Sequence, residues 1–145
     1  LVKKVYDEKE ELYRRIKEKN TLQDACKIIQ RPLIAGFLSY EMVTDLRHSP
    51  VLNTATDIMT WANPGPGCER GLRWIWPEGP FSNEEVCIQG MRLLLDISPK
   101  YLEPHIPRPL EMRDIEMVSC EVDKMWRIKY NKENYRRKYK GIDNG

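Results

Sequence analysis

The spacing of apolar residues along this chain predicts helices and little strand. In the first segment, 2–19, apolar residues are sparse and charged residues stand between them, which is typical of a mostly exposed helix. Thr21, with Asp24 three residues later, forms a capping-box pattern, so a second helix is predicted from there to about Gln30. Apolar residues then recur at helical spacing and predict a third helix with a buried stripe. That stripe consists of Ile34, Leu38, Met42 and Leu46.

The second half of the chain predicts three more helices. A glycine-proline turn precedes a helix over 67–74. Ser82 and Glu85 form a second capping-box pattern, which opens a helix through about Leu95. A proline-rich connector follows, and the last predicted helix runs from about Glu111 to Arg127. Its predicted core face consists of Ile115, Val118, Val122 and Met125. The predicted fold class is all-α.

The length suits one domain, and we expect 1–145 to form a single helical domain with a basic C-terminal tail over 124–145. The net charge is only +2, but 124–140 contain eight Lys and Arg residues against one Glu. Arg136 and Arg137 belong to this tail, and tyrosines are interleaved with its cations. Such a pattern suits a polyanion, and a solvated terminal extension explains the charge equally well.

The cysteines and histidines predict no metal site. The four cysteines are widely spaced without a CxxC motif, and neither histidine is near one of them in sequence. We therefore expect no zinc, reduced thiols and an intracellular protein. No apolar run is long enough to span a membrane and no signal peptide opens the chain, so we expect no membrane partner.

The string PGPGCERG over 64–71 carries the first candidate chemistry. A Gly-Pro-Gly turn before a helix lets the backbone approach a ligand, and the helix N-terminus offers unpaired N–H groups to an anion. Arg70 can add a charge-assisted hydrogen bond. The arrangement is similar to the hairpin of helix-hairpin-helix motifs, which grip the DNA backbone. The alternative is a turn that only connects two helices.

Two acidic helix faces are the other candidates. Glu41 and Asp45 are four residues apart, where two like charges destabilise a helix by a few tenths of a kcal/mol, so a cation, a basic substrate or nearby arginines should offset them. Glu116 and Asp123 lie on one side of the last predicted helix, opposite its predicted core face. A solvated face with local ion pairs is the alternative in both cases. The residues beside these carboxylates are Tyr40, Thr44, Arg47, Cys120, Glu121, Lys124 and Arg127.

Two blocks of the sequence resemble a known family. FLSYEMVTDLRHSPVLNTATDIMTWANPGPGCERGL closely resembles the central block of the amino acid:DNA transferases, also called α-glutamyl/putrescinyl thymine pyrophosphorylases. DIEMVSCEVDKMWRIKYNKENYRRKY is similar to the family's C-terminal block, an acidic helix followed by a basic Arg/Lys–Tyr tail. The resemblance covers roughly 36–72 and 114–139, and this chain would then be either the whole domain or the C-terminal part of a longer one.

The resemblance implies an activity on hypermodified phage DNA. Members of the family replace the pyrophosphate of pyrophosphorylated 5-hydroxymethyluracil with an amine, from an amino acid or putrescine. The implied partners are DNA and the amine, and no organic cofactor is needed. The implied fold is helical and similar to helix-hairpin-helix DNA glycosylases, with a flipped-out target base. The implied location is the bacterial or phage-infected cytoplasm, or the nucleus of a eukaryote.

The resemblance also assigns roles to residues. Gly65, Gly67 and Arg70 would hold backbone phosphate or the leaving pyrophosphate, with Arg47 sharing its charge. Glu41 or Asp45 would bind the attacking ammonium and accept its proton. Further roles fall to three sets of residues. Trp61 and Asn63 would contact the base, Glu116 and Asp123 match the second block as catalytic candidates, and Lys124, Arg127, Arg136 and Arg137 would contact DNA.

Glu69 departs from the family pattern, because an acid at the mouth of an anion site weakens it. Two other functions are compatible with the same sequence. One is a non-catalytic DNA-binding module of the helix-hairpin-helix type, and the other is a helical protein–protein interaction domain. Salt-dependent DNA binding would separate both DNA-binding functions from the protein-interaction function.

Overall fold

The computed structural model describes residues 2–102 and 105–131. Within those ranges the chain forms seven α-helices, and its only extended pairing is an isolated bridge between Arg31 and Ile34. The predicted all-α fold is confirmed. The helices are α1 (Val2–Asp7), α2 (Lys9–Lys19), α3 (Leu22–Ile29), α4 (Phe37–Arg47), α5 (Pro66–Ile75), α6 (Glu84–Leu102) and α7 (Met112–Asn131). None of these helices combines the length and apolar character needed to cross a membrane. The tail residues Arg136 and Arg137 lie outside the described residues.

The N-terminal helices largely follow their sequence signals. The helix predicted over 2–19 is interrupted at Glu8, which separates α1 from α2. The cap of α3 is confirmed, because the Thr21 hydroxyl accepts a hydrogen bond from the backbone N–H of Asp24 at 3.1 Å. Asp57, in the loop after α4, accepts two more backbone hydrogen bonds from the first turn of α3. This loop is therefore fixed against the helix N-terminus.

The buried face of α4 differs from the predicted stripe. Leu38 is exposed, Met42 and Leu46 are half-buried, and only Ile34, which precedes the helix, is fully buried. The prediction was wrong at Leu38, because the helix presents the neighbouring strip of its surface to the core, while Met42 and Leu46 pack at the edge of that strip. The residues that α4 buries are Ser39, Tyr40, Val43 and Thr44.

Helix α6 is longer than predicted and is capped by a different residue. The Asn83 side chain, not Ser82, accepts the backbone N–H of Glu85 at 2.8 Å. The helix also continues through Pro99, which cannot donate a hydrogen bond to the carbonyl of Leu95. The Ser98 hydroxyl donates to that carbonyl at 2.8 Å instead, so the helix keeps a partner for it.

Helix α7 buries the face that was predicted to be solvated. Val118 is 51% exposed and Met125 is 55% exposed, and of the predicted core face only Ile115 is buried. The opposite side, with Glu116 and Asp123, packs against α5. The predictions assumed that apolar residues face the core, but glycines in α5 allow a close backbone contact that places this polar side inside.

The loop between α4 and α5 connects the N-terminal helices to α5, α6 and α7. It is built of turns, and Leu52 is completely buried within it. Its backbone is hydrogen-bonded to Asn20 at one end and, through the Ile58 carbonyl, to the N–H of Met112. Arg92 of α6 also donates twice to the carbonyl of Thr60, at 2.9 and 2.6 Å. These bonds hold the residues that follow, from Trp61 onwards, in place.

Candidate functional site

Arg113, near the start of α7, connects two carboxylates from different helices. One of its nitrogens, Nη2, donates to both carboxylate oxygens of Glu41 at 2.9 and 3.2 Å. The other, Nη1, donates to Glu116 at 2.5 Å. The guanidinium also lies 5.0 Å from the centre of the Tyr40 ring. We call this group, with the neighbouring Trp61 and Cys120, the polar cluster.

Two aromatic residues form the buried side of the polar cluster. The rings of Tyr40 and Trp61 meet edge to face, with centroids 5.7 Å apart, and both residues are buried. Within the described part of the chain, the Trp61 indole N–H has no hydrogen-bond partner. The Tyr40 hydroxyl lies near the Arg113 guanidinium and the Asn63 backbone but forms no well-aligned hydrogen bond with either. Buried polar atoms in proteins nearly always have one, so these two atoms are suited to a ligand or to bound water. Asn63 follows Trp61 by two residues in the sequence and is half-buried.

Burial sets the protonation chemistry of the polar cluster. Burial raises the pKa of Glu116 above its ordinary 4.5, although Cys120 and Arg113 oppose the shift. The Cys120 thiol donates to Glu116 at 3.2 Å, and burial together with the Glu116 charge raises the pKa of Cys120 to about 12. Burial and the same charge also raise the pKa of Tyr40. Cys120 and Tyr40 are therefore protonated hydrogen-bond donors, and Cys120 is a poor nucleophile.

Asp123 is the second ionic centre on this side of α7. It is 1% exposed, and its Oδ2 accepts hydrogen bonds from Arg70 of α5 at 3.0 Å and from Arg127 at 3.1 Å. Its other oxygen, Oδ1, is buried without a partner among the described residues. We call these three residues the Asp123 group. Arg70 remains half exposed, so it can bind an external anion while it neutralises Asp123.

The N-terminus of α5 lies between the two groups. Gly65 is its N-cap, and no side chain of the described chain caps the first turn. A Cβ atom placed on Gly65 would meet nothing within 4 Å, whereas one on Gly67 would lie 3.0 Å from the Cys120 sulfur. Glu69 is paired with Arg73 at 3.1 Å, which offsets its charge. The phosphate role of Gly65, Gly67 and Arg70 stays a prediction.

The remaining predicted residues lie apart from these groups. Asp45 is exposed and forms no contact with the polar cluster, although it shares α4 with Glu41. Arg47 is paired with Glu111 at 2.6 Å, and its Nε is buried without a partner in the described chain. Lys124 forms an exposed pair with Glu121 at 2.5 Å. The structure thus joins Glu41 to Glu116 and leaves Asp45 outside.

Sequence reasoning missed Arg113, which holds the polar cluster together. Its pairing with Glu116 has a sequence signal, since the two are three residues apart on a helix. Its pairing with Glu41 has none, because 72 positions separate them. The sequence predicted that a cation or arginine would offset the repulsion between Glu41 and Asp45, and Arg113 provides that charge at Glu41. The described residues contain no group of three His, Cys, Asp or Glu side chains placed to hold a metal ion.

An all-helical fold with buried ionic groups beside an open helix N-terminus is suited to bind a polar, anionic partner. The sequence matches, over residues 1–134, the family model described as the helical domain of 5-hmdU DNA kinase, where 5-hmdU denotes 5-hydroxymethyldeoxyuridine. The chain belongs to this family of helical domains. Membership supports a part in thymine hypermodification, a DNA modification that implies DNA as a partner. No curated protein and no solved structure matches the chain.

The matched family and the resembled one belong to the same kind of DNA modification but differ in activity. The match names a kinase, whereas the resemblance is to enzymes that replace pyrophosphate with an amine. The transferase activity and the similarity to helix-hairpin-helix glycosylases therefore remain predictions.

Proposed function

We propose that this domain binds DNA and holds a 5-hydroxymethyluracil base against the polar cluster for a reaction at the 5-hydroxymethyl group. The observation that carries the proposal is a pair of buried polar atoms beside Arg113 that lack a well-aligned hydrogen bond, the Tyr40 hydroxyl and the Trp61 indole N–H. A base turned out of the duplex would supply the missing partners. The family match supports the identity of that base.

Three groups of the polar cluster have a counterpart on such a base. The Trp61 N–H is a donor and suits a base carbonyl. The Tyr40 hydroxyl both donates and accepts, and it suits the 5-hydroxymethyl oxygen. Glu41, on the outer side of Arg113, is exposed enough to accept the N3–H of the base. Thymine lacks the hydroxyl group, so a site built for it would discriminate against thymine.

The helix N-terminus and the basic residues would hold the DNA backbone. Gly65 and Gly67 offer the uncapped first turn of α5, and Arg70 adds a half-exposed guanidinium. Lys124 and Arg127 of α7 would add further phosphate contacts, and the sequence predicts the same role for Arg136 and Arg137, which lie outside the described residues.

Phosphoryl transfer would need a nucleotide site in addition. The 145-residue sequence contains no Gly-x4-Gly-Lys-Ser/Thr string of the kind that cradles nucleotide phosphates. We therefore propose that this domain presents the DNA base and that the phosphoryl donor is bound elsewhere.

Fluorescence anisotropy with labelled duplexes tests this proposal. Two duplexes of one sequence, with a single 5-hmdU or a thymidine at the centre, are titrated with the 145-residue chain. We expect at least about fivefold tighter binding of the 5-hmdU duplex, and an affinity that falls as salt is raised. Equal affinity for both duplexes would contradict base recognition. No binding, or binding insensitive to salt, would favour the protein-interaction alternative.

A second candidate function is the amine transfer that the sequence resemblance implies, and the raised pKa of Glu116 favours it. A carboxylate whose pKa is raised towards neutrality is a better general base than an ordinary one. The amine nitrogen would attack the exocyclic methylene carbon as the carbon–oxygen bond to pyrophosphate breaks. Pyrophosphate would leave with the bonding electrons, and Glu41 or Glu116 would accept the proton of the amine.

Nucleoside mass spectrometry distinguishes this second function. DNA that carries pyrophosphorylated 5-hydroxymethyluracil is incubated with the chain and putrescine or an amino acid. A product with the mass of the amine-substituted thymine supports transfer, and its loss in Glu41→Gln with DNA affinity retained would assign the role of Glu41. Asp45→Ala is the comparison, because Asp45 lies outside the polar cluster. Unchanged DNA after incubation would leave base binding as the function.

A further inference from the structure

Three aromatic rings are stacked in a row where α5 and α7 end. The rings of Trp74 and Trp126 are 5.7 Å apart at an interplanar angle of 25°. The rings of Trp126 and Tyr130 are 4.6 Å apart at 17°. The outer two members are open to solvent, since Trp74 is 39% exposed and Tyr130 is 50% exposed. We call these three residues the aromatic stack.

Cations surround the aromatic stack. The Lys129 Nζ lies 5.6 Å from the Trp126 ring centre and 5.0 Å from that of Tyr130. Arg70 precedes Trp74 by four residues and Arg127 precedes Tyr130 by three, which is about one helical turn in each case. The two arginines are bridged to each other through Asp123. Flat aromatic faces beside guanidinium and ammonium groups bind nucleobases and phosphates together.

The aromatic stack has no core role that would explain it. Trp74 and Tyr130 expose much of their surface, whereas the buried pair Tyr40 and Trp61 meets edge to face. Near-parallel rings leave flat outer faces on which a further planar group can be added. Trp126 also follows Glu116 by ten residues, which is about 15 Å along a helix, so the stack is separate from the polar cluster.

We propose that the aromatic stack binds unpaired bases of a DNA strand, by stacking them on the outer faces of Trp74 and Tyr130, while Arg70, Arg127 and Lys129 contact the phosphates. This inference rests on the proposed function and specifies the form of DNA that the domain takes. A base turned out of a duplex leaves a locally unpaired strand, and the aromatic stack would hold that strand about 15 Å along α7 from the polar cluster.

Binding of a labelled dodecamer of thymidine tests the proposal with the 145-residue chain. Trp74→Leu and Tyr130→Leu each remove one outer ring. We expect each to weaken single-strand binding about tenfold. The matched control is Tyr101→Leu, because Tyr101 is 65% exposed and has Lys100 5.5 Å from its ring centre but no aromatic partner in the described chain. The control should stay within about twofold of the wild type.

The outcomes separate this inference from the proposed function. Wild-type affinity for the thymidine strand in both folded variants, with duplex binding intact, would overturn the role of the aromatic stack and leave the proposed function standing. Absence of binding to duplex and single strand alike would reject the proposed function itself. Circular dichroism confirms that each variant is folded, and Tyr130→Leu, near the end of α7, provides the test if Trp74→Leu does not fold.

Discussion

Gly71 of α5 lies directly against the backbone of Ser119 in α7. A Cβ atom built on Gly71 would sit 2.1 Å from the Ser119 carbonyl oxygen and 2.7 Å from its carbonyl carbon. No side chain fits there, so the two helices can approach this closely only with a glycine. This approach buries the polar side of α7, with Glu116 and Asp123. The candidate site therefore depends on a backbone contact made by a glycine.

We expect Gly71→Ala to destabilise the protein by about 2 kcal/mol or more, because the added methyl group must push apart two backbones. Urea unfolding measures the change. Gly65→Ala is the control, since its Cβ would meet nothing within 4 Å and its φ of −83° suits alanine. The control should change the free energy of unfolding by less than about 1 kcal/mol. Equal losses in both variants would show that the α5–α7 contact is not the tight one described.

The two arginines that share Asp123 should be coupled. Arg70→Ala or Arg127→Ala alone leaves one cation on the buried carboxylate, so each should cost roughly 1 kcal/mol. The double variant leaves Asp123 buried without either of these cations. Its loss in free energy of unfolding should exceed the sum of the single losses by at least about 1 kcal/mol.

A control for this coupling combines Arg70→Ala with Arg14→Ala. Arg14 pairs with Glu11 on the exposed side of α2, so the two losses should simply add. If the losses in free energy of unfolding for Arg70→Ala and Arg127→Ala also simply add, the two arginines do not share the neutralisation of Asp123, and the proposed coupling is contradicted.

The raised pKa of Glu116 predicts a pH dependence of stability. The folded state holds this proton more tightly than the unfolded state, so ionisation of Glu116 costs stability as pH rises from 4.5 through the folded-state pKa. Glu116→Gln has no such proton. We therefore expect the free energy of unfolding of Glu116→Gln, measured with urea, to increase relative to that of the wild type as pH rises through this window.

Asp114 provides a comparison of opposite sign. Burial alone would raise its pKa, but hydrogen bonds from Arg108 and from the backbone N–H of Glu111 lower it below 3.8. The stabilising effect of ionised Asp114 is present above pH 3.8 and is lost as pH falls through the folded-state pKa, so the stability advantage of the wild type over Asp114→Asn should shrink there.

Parallel pH profiles of the free energy of unfolding for the wild type and Glu116→Gln would contradict the burial of Glu116.

The sequence predicted the helical class and several helix ends for local physical reasons. The Thr21 cap and the start of α5 depend only on neighbouring residues, so a pattern can reveal them. The limits of α6 were misjudged for an equally local reason. Pro99 usually ends a helix, but the Ser98 hydroxyl takes over the carbonyl that proline leaves unpaired.

The orientation of α7 could not be predicted in the same way. Apolar periodicity assigned Val118 and Met125 to the core. The close contact between Gly71 and Ser119 buries the opposite face of the helix instead. That contact is between distant segments, and nothing in the local pattern encodes it. The same applies to Arg113, whose bond to Glu41 exists only once α4 and α7 are side by side. Glu116 and Asp123 were selected from the sequence, but as members of an exposed face.

The most direct test of base recognition uses Tyr40→Phe, which removes only the buried hydroxyl that has no well-aligned hydrogen bond among the described residues. Because that hydroxyl forms only poorly aligned contacts with Arg113 and the Asn63 backbone, the variant should unfold at nearly the same urea concentration as the wild type. Anisotropy titration then compares its affinity for the 5-hmdU and thymidine duplexes. The account predicts that the variant keeps its affinity for the thymidine duplex and loses its preference for 5-hmdU, about fivefold or more in the wild type. A preference for 5-hmdU that survives in a stable Tyr40→Phe variant would contradict it.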